Sequence, residues 1–199
     1  MNKSLKIPDD TGYLELFIGP MWSGKTTELV NLYRDYNLYG YDVLALNYNA
    51  DTRYGSKKIS THDHDEIPCE TCVELRNISD ITKGEITSEF KEAKVILINE
   101  GQFFKDIVVW VKTAVEKYNK HVYISGLDGD FKREKFGDLL CLIPFCDRVT
   151  KKHSICGCCK KTYAIFSHRI SDEKQQELIG GTTQYISLCR ECYNIKNTV

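Results

Sequence analysis

Nowhere in its 199 residues does this chain carry an apolar run near the roughly 20 residues that a bilayer-spanning helix needs. Its first residues, MNKSLKIPDDTGY, lack the apolar core of a secretory signal. Together these absences predict a soluble cytoplasmic protein with no membrane partner. A basic excess is missing too: 27 Lys and Arg stand against 28 Asp and Glu, a formal net charge of -1. General nucleic-acid binders carry a cationic surplus to neutralise phosphates, so no direct nucleic-acid partner is expected. A small anionic ligand held by a few local cations stays compatible with this balance. There is no internal repeat and no low-complexity tract. Nine cysteines are an odd number, which argues against a full disulfide framework and makes metal binding the better first reading.

What is present is an alternation of apolar strands and helical segments. Tyr13 to Ile18 reads as a strand, followed by a Gly-rich stretch and a helical segment from about Lys25 to Tyr39. That segment has Leu29, Val30, Leu32, Tyr33 and Tyr36 near helical spacing and Gly40 as its stop. Tyr41 to Leu46 follows as a second strand, completing a βαβ unit. Lys94 to Ile98 is an unbroken apolar run, Phe103 to Tyr118 reads helical, and His121 to Ser125 is strand-like. Continuously apolar strands are those covered on both faces, so the expected fold is α/β, with a mostly parallel sheet and helices on both faces. The polar stretch Asn47 to Pro68 reads as a long mobile loop. After about Val149 the character changes to a small β-rich lobe. We therefore expect an α/β nucleotide-binding domain over 1–149 and a metal-stapled lobe over 150–199.

Gly19-Pro20-Met21-Trp22-Ser23-Gly24-Lys25-Thr26 fits GxxxxGK[ST] at every fixed position. Glycines let successive backbone N–H groups curl round phosphate oxygens, and the helix N-terminus adds partial positive charge. Lys25 can reach the β- and γ-phosphates, and the Thr26 hydroxyl can ligate Mg²⁺. The bare pattern arises by accident in roughly one chain in a hundred, and its placement between a strand and a helix lowers that further. A P-loop NTPase-like sheet also places an acid at the end of a second buried strand, where ligands of open α/β sheets gather. Here that strand ends in Asn99-Glu100. Asn99 can hold a Mg²⁺-bound water by its carbonyl but adds no charge. Glu100 is either a general base toward an acceptor hydroxyl or a solvated residue just past a strand.

Three CxxC pairs occur, at Cys69/Cys72, Cys156/Cys159 and Cys189/Cys192. A structural zinc needs two such pairs, and the last two share the small tail that most needs a staple. Cys69/Cys72 lies in a strand-like segment whose alternation directs the thiols to opposite faces, which favours core or free thiols. Cys141, Cys146 and Cys158 read as small hydrophobes. His62-Asp63-His64-Asp65 could ligate a metal, but a polar loop face is the favoured reading.

The ordered set GPMWSGKTTEL, DTRY (Asp51 to Tyr54), THD (Thr61 to Asp63), EGQFF (Glu100 to Phe104), LDGDFKREKFG (Leu127 to Gly137), the two tail CxxC pairs and IGG…Y (Ile179 to Gly181, Tyr185) closely resembles the thymidine kinases of the human cytosolic, bacterial and poxvirus type. It runs from about Gly12 to Tyr193. The resemblance implies transfer of the ATP γ-phosphoryl group to the 5′-hydroxyl of thymidine, with ATP, Mg²⁺ and a structural Zn²⁺. It implies a donor site of Gly19 to Thr26, Asp51, Thr52, Arg53, Asn99, Glu100, Gly101 and Gln102. Glu100 would be the base, with Lys25 and Arg53 stabilising charge. The acceptor site would use Met21, Leu127, Phe131, Phe136, Gln176, Glu177, Leu178, Ile179, Gly180 and Tyr185, although without the resemblance Phe131 and Phe136 read first as core residues. It further implies a homotetramer, or a dimer, and feedback inhibition by thymidine triphosphate. Asn99 departs from the Asp that the family generally carries there. Two other functions remain open from the residues: a P-loop ATPase whose lobe binds nucleic acid through Lys151, Lys152, Lys160, Lys161, His168 and Arg169, or a kinase for another deoxynucleoside.

Overall fold

The computed structural model describes residues 8, 10–48, 57–170 and 184–197. In chain order the elements of the main domain are β1 (Tyr13–Ile18), α1 (Lys25–Leu38), β2 (Val43–Tyr48), β3 (Lys58–Ser60), β4 (Glu66–Pro68), β5 (Glu70–Cys72), α2 (Ser88–Glu92), β6 (Val95–Ile98), α3 (Ile107–Glu116), β7 (His121–Gly126) and β8 (Arg148–Lys151). Six strands form one sheet in the order β5-β2-β6-β7-β1-β8, and every pairing in it is parallel.

Alternation along the strands divides the apolar residues between two faces. Leu14, Leu16, Ile18, Leu44, Leu46, Ile96, Ile98, Val122 and Ile124 point to one core cluster, shared with α3. Phe17, Ala45, Val95, Leu97 and Tyr123 point to a second, shared with Leu29, Val30 and Tyr36 of α1. Buried residues of α3 recur at Ile107, Trp110, Val111, Ala114 and Val115, a helical stripe. Helices thus cover both faces of a parallel sheet, as the apolar runs predict. Cys69 sits in the second cluster and Cys72 in the first, so the two thiols do go to opposite faces. Burial pushes each up to about 12, which makes both poor nucleophiles and poor metal ligands.

Four local expectations change. The second strand starts at Val43 because Tyr41 still belongs to the helix stop: its N–H bonds the Tyr36 carbonyl at 3.0 Å, and Gly40 turns the chain at φ 80°. The third helix starts at Ile107 rather than Phe103, because Gly101–Phe103 is a single 3₁₀ turn and Phe104 is extended. Within Asn47 to Pro68, the described residues include an antiparallel hairpin of β3 and β4, held under α1 by Ile59 and Ile67. Finally, Cys141 and Cys158 are exposed and do not pack as hydrophobes, whereas the half-buried Cys146 packs against the first core cluster as expected.

The tail contains β9 (Ser154–Ile155), β10 (Tyr163–Ala164), β11 (Phe166–Arg169), β12 (Tyr185–Leu188) and α4 (Arg190–Asn197). Two antiparallel ribbons, β9–β10 and β11–β12, make it β-rich. β8 carries the main sheet as far as Lys151. Its apolar cluster is small: Cys156, Ala164, Leu188, Cys189, Cys192 and Tyr193.

Candidate active site

The loop between β1 and α1 is built as its glycines require. Gly19 has φ 146°, and a Cβ there would lie 2.3 Å from the Lys152 carbonyl oxygen, so no side chain fits. Gly24 precedes α1 in the left-handed region and offers no side-chain cap. The first N–H groups of the 14-residue helix are therefore left for an anion. The Lys25 ammonium is buried, donating to the Pro20 carbonyl at 2.6 Å and the Ser23 hydroxyl at 3.3 Å. Burial lowers its pKa to about 8; the Glu100 and Asp128 carboxylates oppose the shift, and Lys152 adds to it.

At the ends of β2, β6 and β7 a buried polar network meets the start of α1. The Asn99 carbonyl oxygen accepts from the Ser125 hydroxyl at 2.7 Å and the Thr26 hydroxyl at 3.3 Å. Its amide nitrogen donates to the Asn47 side-chain carbonyl at 3.0 Å. Glu100 has a left-handed backbone, φ 55°, a conformation costing about 1–3 kcal/mol that persists only where the surroundings enforce it.

The β1–α1 loop and the tail are joined directly. The Met21 N–H donates to the Ser167 hydroxyl at 3.0 Å, and the Ser187 hydroxyl donates to the Met21 carbonyl at 2.7 Å. Beyond them, the buried Arg169 guanidinium donates to the Tyr185 hydroxyl at 2.6 and 3.2 Å and lies 3.9 Å from the Phe131 ring centroid. Tyr193 donates to the Phe131 carbonyl at 2.6 Å. Phe136 packs edge-on against Phe103 at 5.4 Å.

These pieces enclose one cavity of about 250 Å³. Met21 to Thr26, Asn99, Glu100 and Gln102 line one part, and Leu127, Phe131, Phe136 and Tyr185 another. Gly19, Pro20 and Gly101 do not line it. Phe131 and Phe136 thus line the cavity; Phe136 is buried and Phe131 half-buried, and neither belongs to an apolar core cluster. Asp51, Thr52 and Arg53, and Gln176, Glu177, Leu178, Ile179 and Gly180, lie outside the described residues. The two ends flanking the latter segment are pinned together, Arg169 opposite Tyr185 and the Ile170 N–H on the Gln184 carbonyl at 2.8 Å.

Several lining residues were missed by sequence reasoning. His62 and Asp63, read as a solvated loop face, sit at the β3–β4 turn and line the cavity, with the His62 ring 6.0 Å from that of Trp22. Ser167 and Asp130 line it as well. Ser167 lies in β11, and His62, Asp63 and Asp130 lie within the stretches Thr61 to Asp63 and Leu127 to Gly137, but no periodicity or spacing marks any of them singly as lining the cavity.

The Sγ atoms of Cys156, Cys159, Cys189 and Cys192 all lie within 4.8 Å of one another. A tetrahedral zinc at about 2.3 Å from each sulfur sets S···S separations near 3.8 Å, so the four thiols fit that ion. The Cys189 N–H points at the Cys156 sulfur at 3.3 Å, the kind of second-shell bond that orients a thiolate. Among the described residues no other group of three or more His, Cys, Asp or Glu side chains converges in this way. A basic nucleic-acid face is poorly supported: Lys151 pairs with Asp128 at 2.7 Å, Lys152 pairs with Glu28, and Arg169 is buried on Tyr185. Among the described residues no helix is long and apolar enough to cross a membrane.

The family model described as thymidine kinase matches residues 12–193. The chain is 40% identical to the thymidine kinase of Sheeppox virus (strain KS-1) over 184 residues, covering 92% of this chain and 98% of the relative. It is 39% identical to that of Yaba monkey tumor virus (strain VR587), covering 92% and 95%, and 38% identical to that of Vaccinia virus (strain Western Reserve), covering 92% and 97%. With nearly the whole length matched, and with the β1–α1 loop, Glu100 and the cysteine-bearing tail around one cavity, the chain belongs to the thymidine kinase family.

Proposed function

We propose that this protein transfers the γ-phosphoryl group of ATP to the 5′-hydroxyl of thymidine, giving thymidine monophosphate and ADP. The observation that carries this reading is the single cavity in which the phosphate-loop motif faces an aromatic pocket across Glu100. In the transfer the 5′-oxygen forms a bond to the γ-phosphorus as the bond to the β,γ-bridging oxygen breaks, and Glu100 takes the hydroxyl proton. Such transfers depend mainly on positioning and charge stabilisation. The backbone N–H groups of Gly19 to Thr26, the N-terminus of α1 and Lys25 hold the polyphosphate, with Arg53 as a further cation. Asp51 and Thr52 complete the donor side. Phe131 and Tyr185, with Met21, Leu127, Phe136 and the Gln176 to Gly180 segment, hold the nucleoside.

A Mg²⁺ ion keeps most of its shell from water and phosphate oxygens. The Thr26 hydroxyl and the Asn99 carbonyl, which already meet at 3.3 Å, offer oxygen donors of the required kind. When bound there, Mg²⁺ neutralises charge on the β- and γ-phosphates. Asn99 supplies an oxygen but no charge. Asn99→Asp is therefore expected to lower the Mg²⁺ concentration needed for half-maximal rate by about 3- to 10-fold, since a nearby anion strengthens cation binding. A rate titration checks this, and an unchanged Mg²⁺ dependence would show that the missing charge has no consequence.

The activity itself is tested by ATP-dependent phosphorylation across a panel of deoxynucleosides. Thymidine should be turned over best. Preference for another nucleoside, or nucleic-acid-stimulated ATP hydrolysis without nucleoside phosphorylation, would replace the assignment. The family resemblance also supports cytoplasmic location, a homotetramer or dimer, and inhibition by thymidine triphosphate.

A further inference from the structure

Gln102 falls in the 3₁₀ turn just after Glu100 and is 3% exposed. Both ends of its amide are used within the protein. The nitrogen donates to Glu100 Oε2 at 2.6 Å, and the oxygen accepts from the Leu127 N–H at 2.9 Å. No described residue hydrogen-bonds the other Glu100 oxygen, Oε1. Two glycines let the backbone approach Gln102 closely. A Cβ on Gly126 would come within 2.7 Å of the Gln102 amide oxygen, and one on Gly137, at φ 60°, within 2.0 Å of its carbonyl oxygen. Gln102 is thus clamped between the end of β7 and the loop carrying Phe131 and Phe136.

A nucleotide contact at Gln102, as the family resemblance implies, would need only the second amide N–H or the second oxygen lone pair and would leave these two bonds intact. The intact arrangement does something else. It fixes the carboxylate of Glu100, whose own backbone is left-handed, and it ties that carboxylate to Leu127, a wall of the nucleoside pocket. We propose that Gln102 is the positioning residue for Glu100: it holds Oε2 and leaves Oε1 to accept the proton of the acceptor hydroxyl. This rests on Glu100 being the base. It makes the base and the nucleoside pocket move as one unit, so that bound thymidine and Oε1 keep a fixed separation. Positioning errors of about 1 Å cost on the order of 100-fold in rate.

Two substitutions test it in the full-length protein. Gln102→Glu keeps an acceptor for the Leu127 N–H but sets a carboxylate against Oε2, and Gln102→Met removes both bonds at similar volume. Each is expected to lower kcat by about 30- to 100-fold, with the KM for thymidine and the equilibrium affinity for ATP within about threefold of the parent. Gln102→Glu added to Glu100→Ala should cost nothing further, because the group it positions is gone. A kcat within threefold of the parent in both single variants would overturn the proposal. So would an ATP affinity falling in step with kcat, which would put Gln102 on the donor nucleotide, or a fully additive loss in the double variant. Melting curves decide which single variant is read if one is destabilised. Glu100→Ala alone separates the two failures: full turnover in that variant would remove the base reading itself.

Discussion

Glu100→Ala is expected to lower kcat by about 10²- to 10⁴-fold while ATP binds almost as before, which is roughly 3–5 kcal/mol of lost transition-state stabilisation. The lower half of that range is the better expectation. A phosphoryl group passes through a loose transition state in which the attacking hydroxyl has lost little of its proton, so the base acts late. ATP affinity should survive because the groups proposed to hold the polyphosphate lie on the β1–α1 loop, which does not lean on the Glu100 side chain. Lys25 donates to Pro20 and Ser23, and Thr26 and Asn99 hold one another. Single-turnover phosphorylation of thymidine, beside equilibrium binding of ATP, reads the two effects separately. Near-normal turnover in the variant would exclude Glu100 as the base, and equal loss of ATP binding would make it a donor-site residue.

Loss of one cysteine ligand should have an effect as large through a different route. Cys189→Ser, or chelation of the metal, is expected to abolish thymidine phosphorylation and unfold the tail. Zinc binding in small domains contributes about 10–16 kcal/mol, comparable to the whole stability of a domain, about 5–15 kcal/mol. The tail has little to set against that loss, since its apolar cluster is six residues and three of them are ligand cysteines. What is lost with it is specific. β11 and β12 bring Ser167 and Ser187 to Met21, Tyr185 to the cavity and Arg169 onto Phe131. Thymidine binding should therefore fail before ATP binding does. Atomic emission should find one zinc per chain in the parent and none in Cys189→Ser, with Cys158→Ser and Cys69→Ala each retaining it. A metal-free parent with full activity would sink the structural zinc.

The parts of the site that were legible in the sequence are those whose chemistry sits on neighbouring residues. A phosphate cradle is made of successive backbone N–H groups, so its glycines, Lys25 and Thr26 must be contiguous. A CxxC pair likewise carries its own geometry. Cys69 and Cys72 reach opposite faces as alternation predicts, although Cys69 lies between β4 and β5 and not in one strand with Cys72. Expectations failed where a neighbour far along the chain decides. Ile59 and Ile67 have a place under α1, and that burial turns a polar stretch into a hairpin. Asp106 accepts from the N–H groups of Leu75 and Arg76 at 3.1 and 2.9 Å, a contact that accompanies the late start of α3 and has no local signature.

By itself the sequence determined the parallel sheet, the glycine-bearing turn between β1 and α1, the acid at the end of β6 and the four thiols of the tail, because each is encoded within a few residues. Only the tertiary structure decided what these pieces do to one another. The order β6-β7-β1 brings Asn99, Ser125 and Thr26 within hydrogen-bonding reach, and it sets Leu127 where Gln102 can bridge it to Glu100. The tail's fold carries Ser167 and Ser187 back to Met21, across separations of 146 and 166 residues. A single hydrogen bond contributes only about 1 kcal/mol, too little to bring such distant residues together unaided. Apolar burial under the sheet fixes the frame first, and these polar contacts then take the geometry the frame allows.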